Sequence, residues 1–173
     1  MSVLRVLIVV AVGLVLQMAL ARYSVGGRWV FDLVLVAVVY AALAWGPMAG
    51  MWAGTVGGLV QDSLAGDVVG IGGLAKTVAG VCAGVAGAQF IVSSSAARVA
   101  TVAAVTIGHR LLVVALLAIV DQRWSNVDWL AMLVETGLNG LAVLIAFQAS
   151  VMLPGAVRST RDLRRSSLSK RRW

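Results

Sequence analysis

Four ionisable residues, Lys76, His109, Arg110 and Glu135, stand inside long apolar runs of this 173-residue chain, and two more, Asp32 and Asp62, stand close to the ends of such runs. A charge held near the centre of a bilayer costs at least ~2.5–3.5 kcal/mol on insertion scales, so each of these side chains needs a partner or water. Three chemistries fit residues of this kind: a buried ion pair holding helices in register, a polar site for a small ligand, and a proton path. A path repeats acids or histidines along its length, and this chain has one His. The ion pair is the simpler expectation, with Arg110 and Glu135 as partners helped by Asn139, and with Asp62 and Lys76 as a second pair.

Other reactive groupings are missing from the sequence. It contains no metal-ligand spacing and no nucleophile triad, and its Gly-rich stretch lacks the Lys-Ser/Thr ending of a phosphate loop. Cys82 has no partner for an intrachain disulfide and sits in an apolar run, so it reads as a small core residue. No cofactor is expected and no enzymatic activity. The formal net charge of +7 raises the question of nucleic acid. The basic residues are concentrated in one tail, however: Arg158, Arg161, Arg164, Arg165, Lys170, Arg171 and Arg172, with Asp162 as its only acid. Anionic lipid headgroups beside a membrane explain that tail, at ~1 kcal/mol per basic residue, and an acidic cytoplasmic partner is the other candidate.

The elements that position these residues follow from hydropathy. The chain is 61% hydrophobic and 12% charged, against roughly 45–50% and 25% in a soluble domain. Spans of about 20 residues joined by short loops leave room for about six and for no soluble enzyme domain. The expected spans are Val3 to Leu20, Val30 to Trp45, Met48 to Val60, Leu74 to Val92, Ala97 to Val120 and Trp129 to Leu153. Gly46-Pro47 and Pro154-Gly155 serve as stops. The polar segment Gln61 to Gly73 reads as a loop, partly re-entrant. Residues 1–155 thus form a six-helix transmembrane domain and 156–173 a basic tail. Long uninterrupted apolar runs and the lack of strand alternation favour helices over a barrel.

Loops rich in Lys and Arg stay in the cytoplasm, which puts the tail, the N-terminus with Arg5 and the turn near Arg98 inside. The loops at Asp62/Asp67 and Asp121/Asp128 then lie outside, and so does the Arg22/Arg28 loop, which runs against the bias. Arg5, the first apolar run and Ala19-Leu20-Ala21 also resemble a cleavable signal peptide, but the run is long for one. At ~1.5 Å per residue, Arg110 lies roughly 15 Å below the outer end of its span, and Glu135 and Asn139 roughly 10 and 16 Å below the start of theirs. A pair between Arg110 and Glu135 is within reach.

Glycine marks the helix contacts. Gly46, Gly50, Gly54 and Gly58 recur every four residues and lead to Asp62, forming one strip without side chains where another backbone can approach. Thr77, Gly80, Gly84 and Gly87 repeat the device in the next span. Both strips are expected to serve the internal bundle rather than a partner protein.

The middle of the chain resembles the bacterial rod shape-determining protein MreD family. Arg28-Trp29-Val30-Phe31-Asp32-Leu33 is similar to that family's arginine-x-x-aspartate-leucine entry into an apolar helix, which here ends near Tyr40. Gly58-Leu59-Val60-Gln61-Asp62 is similar to its glycine-leucine-x-x-aspartate. Ser63-Leu64-Ala65-Gly66 and Val69-Gly70-Ile71-Gly72-Gly73-Leu74 resemble the following loop and the next helix entry. Phe31 stands where the family usually has proline, and Val69 where leucine is usual. About a third of the chain carries the likeness, with span count and length agreeing elsewhere; spans five and six match in hydropathy alone.

The resemblance implies a non-enzymatic scaffold subunit of the cell-elongation, peptidoglycan-synthesising machinery in the bacterial inner membrane. Its partners would be a membrane-anchored periplasmic MreC-like protein, a RodA-type glycosyltransferase with its penicillin-binding transpeptidase, and indirectly the MreB filament. It also implies a fold similar to the substrate-binding subunits of energy-coupling-factor vitamin transporters. A rival expectation follows from that fold: small-molecule binding or transport using Lys76, Arg110 and Glu135. The short outer loops argue against an aromatic-lined pocket there. On the scaffold reading, Asp32, Asp62 and Gly70 shape the outer loop, and Gly50, Gly54, Gly58, Gly80 and Gly84 set helix contact.

Overall fold

The computed structural model describes residues 3–20, 31–66, 68–89, 95–121 and 129–152. Arg22, Arg28, Asp67, Asp128 and the basic tail lie outside them. Among the described residues the chain forms six helices and no strand: α1 (Val3–Leu20), α2 (Leu33–Trp45), α3 (Pro47–Ala65), α4 (Ile71–Gln89), α5 (Ser95–Asp121) and α6 (Trp129–Met152). Four of them, α1, α4, α5 and α6, are long and apolar enough to cross a membrane. An all-α, multi-pass membrane protein is the architecture that results.

Helix α2 sits at the centre, touching all five of the others. Its sequence is apolar all round, the pattern of a helix with no solvent face, and Val34 through Val39 are all buried. At ~1.5 Å per residue its 13 residues reach about 20 Å, short of the ~30 Å hydrocarbon layer. Around it, α1 turns one stripe inward, with Val6, Val10, Gly13 and Gln17 buried at helical spacing. The opposite face of α1 exposes Leu4, Leu7, Ile8, Val12 and Val15, and α5 and α6 expose Ile119, Leu130, Leu133, Leu141 and Ile145. Large apolar side chains turned outward on several helices suit lipid as solvent.

Among the described residues, helices α3 and α4 share the most extensive contact. A Cβ added to Gly50 would meet the carbonyl of Gly80, one at Gly54 the backbone of Lys76 and Thr77, one at Gly58 the backbone of Gly73, and one at Gly84 that of Pro47, each closer than 3.0 Å. The two backbones touch directly, an approach that only side-chain-free faces allow. Beside them the hydroxyls of Thr55 and Thr77 lie 2.9 Å apart. Gly46 meets nothing across the helix; its φ of +95° makes the corner between α2 and α3, and Pro47 opens α3 at a position where no amide hydrogen is needed.

Several sequence expectations need correction. The segment Gln61 to Gly73 is mostly helix: α3 continues through Asp62 to Ala65, ends at Gly66 in the left-handed conformation, and α4 begins at Ile71. The helix survives its polar residues because Asp62 is buried and hydrogen-bonded rather than left to lipid. Helix α2 starts at Leu33, where Asp32 caps it, rather than at Val30. Cys82 is exposed, facing a groove between α4 and α5 rather than the core.

Candidate functional site

The polar residues gather at the end of the bundle where α2 begins, α3 ends and α4 begins. Asp32 organises it. One carboxylate oxygen, Oδ1, accepts the Leu35 amide at 2.9 Å, capping α2. The other, Oδ2, meets Lys76 Nζ at 2.8 Å, and both residues are buried, Lys76 at 4% exposure. The Asp32 amide donates to Asn139 Oδ1 on α6 at 3.2 Å, and Asn139 Nδ2 reaches Thr106 Oγ1 on α5 at 3.5 Å. This one residue therefore links α2 to α4 and, through its backbone, to α6 and α5.

Gln17 of α1 completes the entry to α2: its Oε1 accepts from the Leu33 amide at 2.7 Å and its Nε2 donates to the Phe31 carbonyl at 3.1 Å. The Leu33 amide is one of the N–H groups a helix start leaves open, and the Phe31 carbonyl belongs to the chain leading into it. Neither Gln17 nor Thr106, which lies buried on α5, is singled out in the sequence, since a single uncharged polar side chain in a span carries little signal.

Asp62 does not pair with Lys76. Its Oδ2 accepts the amides of Gly70 at 2.9 Å and Gly73 at 3.1 Å, so its negative charge sits at the start of α4, where the helix dipole favours it. Gly70 has φ +105°, a conformation side chains disfavour, and a Cβ at Gly72 would run into the Asp62 carboxylate. The three residues expected from the sequence to shape one loop thus divide: Asp62 and Gly70 meet, whereas Asp32 belongs to Lys76. Asn139 likewise serves Asp32 and Thr106 rather than the Arg110 and Glu135 pair.

Arg110 Nε and Glu135 Oε2 stand 3.9 Å apart, beyond hydrogen-bond length. The Glu135 side chain is 7% exposed and that of Arg110 41%. Between these groups lies a cavity of about 510 Å³, whose lining includes Asp32, Asp62, Lys76, His109, Arg110 and Glu135. Two lining residues carry buried polar atoms without a hydrogen-bond partner among the described residues: Gln61 Oε1, and both ring nitrogens of His109. Among the described residues no group of His, Cys, Asp and Glu has the makings of a metal site.

No protein-family model, curated protein or solved structure matches this chain.

Proposed function

We propose that the protein is a non-enzymatic scaffold subunit of the bacterial cell-elongation complex, regulating cell shape through an MreC-like protein and the wall synthases from the inner membrane. The observation that carries this reading is where the residues similar to the MreD family fall. Asp32, Asp62, Gly70 and the glycine strip all take structural roles in the α2, α3 and α4 unit: a helix cap, a carboxylate on a helix start, a positive-φ turn and a backbone-to-backbone contact. Residues spent on rigidity suit a subunit whose task is to hold neighbours in place. In this reading all six helices belong to the transmembrane domain, with the short α2 enclosed by the others. The termini face the cytoplasm, the basic tail rests on anionic lipid, and the bundle resembles the vitamin-binding subunits of energy-coupling-factor transporters.

Tagged protein extracted from its native membrane and analysed by mass spectrometry is expected to carry an MreC-like protein and a RodA-type synthase. Recovery of transporter ATPase subunits instead, with cell shape unchanged on depletion, would refute the scaffold.

A second reading, small-molecule binding or transport, is favoured by one observation: the cavity of about 510 Å³ with the buried, unpartnered His109 in its lining. Its volume falls within the roughly 300–1,000 Å³ of ordinary ligand sites. On this reading a thermal-shift screen of vitamins, lipids and wall precursors on the purified protein gives a saturable stabilisation that Arg110→Ala weakens. A flat screen would dismiss it.

A further inference from the structure

The polar groups facing the cavity are not equally satisfied. Asp32 and Lys76 are matched at 2.8 Å, and Asp62 is held by two amides. Glu135 and Arg110 are different: their charges stand opposed at 3.9 Å, too far for a hydrogen bond. A buried carboxylate favours a close, hydrogen-bonded cation, because the low-dielectric surroundings penalise any charge left without one. A guanidinium offers five N–H donors in a flat fork matched to carboxylate or phosphate oxygens, and that of Arg110 is 41% exposed and lines the cavity. The two ring nitrogens of His109 and Gln61 Oε1 add further buried polar atoms without partners among the described residues. The cavity therefore offers unmet acceptors for a cationic group together with unmet donors for an anionic one.

We propose that this cavity binds a small zwitterion, its ammonium on Glu135 and its carboxylate or phosphate on Arg110. The proposal rests on the ligand-binding reading and narrows it to one chemical class. Matching both charges is what selects that class. A purely anionic ligand would set another negative charge beside Glu135, and a purely cationic one would set a positive charge beside Arg110, while an uncharged ligand would leave the loose pair as it is. A zwitterion enters without changing net charge and converts one slack contact into two charge-assisted hydrogen bonds. Two sources supply that chemistry: a soluble amino-carboxylate compound, and the headgroup of an ethanolamine phospholipid.

The test uses the full chain in maltoside micelles, titrated calorimetrically with glycylglycine, N-acetylglycylglycine and glycylglycinamide. Glycylglycine is expected to bind saturably, and each analogue, lacking one of the two charges, to bind about tenfold more weakly or worse. Glu135→Gln is expected to weaken glycylglycine while the N-acetyl analogue, relieved of a like charge, binds no worse or better, and Arg110→Gln to weaken glycylglycine while the amide binds no worse or better. In the lipid arm, native mass spectrometry compares retention of phosphatidylethanolamine with that of phosphatidylglycerol. Selective retention that Glu135→Gln abolishes, with no glycylglycine binding, assigns the site to the lipid headgroup. Equal affinity for all three glycyl compounds would overturn the zwitterion while sparing ligand binding; no binding of any of them and no selective lipid retention by the unaltered chain would overturn both. The analogue comparison needs no variant, so misfolding of a mutant cannot obscure it.

Discussion

Lys76→Met is expected to destabilise the bundle by about 3–5 kcal/mol, the range found when one member of a buried ion pair is removed. The Lys76 ammonium is the cation on Asp32 Oδ2 at 2.8 Å, and both groups are buried. Loss of the lysine strands a carboxylate at the start of α2, still bonded to the Leu35 amide but with its other oxygen unpaired. Asp32→Asn keeps a side-chain cap for α2 and removes the charge, so the double variant Lys76→Met/Asp32→Asn is expected to recover much of the loss. The double-mutant cycle in detergent-solubilised protein reads this as a coupling energy, on the order of 2 kcal/mol for groups in direct contact. Asp62 supplies the contrast. Its charge is answered by the amides of Gly70 and Gly73, so Asp62→Asn is expected to add to Lys76→Met without rescue. Rescue by Asp62→Asn and none by Asp32→Asn would reverse the assignment.

That contrast also marks how far the sequence could be read. Long apolar runs locate α1, α5 and α6 within a residue or two, because a continuous greasy stretch has few structural solutions in lipid. The four-residue spacing of Gly50, Gly54 and Gly58 is visible as well, since helical periodicity puts such positions on one face. Depth along a helix can be counted at a fixed rise, and by that count Asp32 and Asp62 lie equally near Lys76. Which of them Lys76 meets depends on how helices are arranged around one another in cross-section, and residue spacing along single helices does not encode it.

The polar segment after Val60 was misleading for a related reason. Composition argues for a loop when Gln61, Asp62 and Ser63 are imagined facing lipid, but Asp62 turns inward and the Ser63 hydroxyl returns to the Leu59 carbonyl at 2.8 Å. Gln17 and Thr106 look unremarkable in the sequence, since one uncharged polar residue in a span is cheap. Their importance comes from partners that the folded chain brings near them, the Phe31 and Leu33 backbone for Gln17 and the Asn139 side chain for Thr106.

Gly54→Leu is expected to separate α3 from α4 and, on the scaffold role proposed above, to abolish co-purification with an MreC-like partner. At this position even the first added carbon meets backbone: a Cβ would lie 2.5 Å from the Lys76 carbonyl carbon and 2.7 Å from the Thr77 nitrogen. Backbone cannot rotate aside as a side chain can, so the helices must move. Gly54→Ala already tests the principle, with a cost expected at or above the ~1–3 kcal/mol of overpacked cores. Alanine's better helix propensity, worth about 1 kcal/mol over glycine, offsets only part of it. Gly137→Ala and Gly108→Ala are the controls: nothing lies within 4 Å of either added carbon, so propensity alone acts and stability is expected to hold or rise. The obstruction at Gly54 falls on the backbone of Lys76 itself, so displacing α4 there also draws the Lys76 ammonium from Asp32. Gly54→Ala and Lys76→Met are therefore expected to cost less together than the sum of their separate effects, because each removes the same ion pair. Strict additivity in detergent, or intact co-purification and cell shape with Gly54→Leu, would mean that the glycine contact and the charge pair are independent and that this helix pair is not what presents the partner surface.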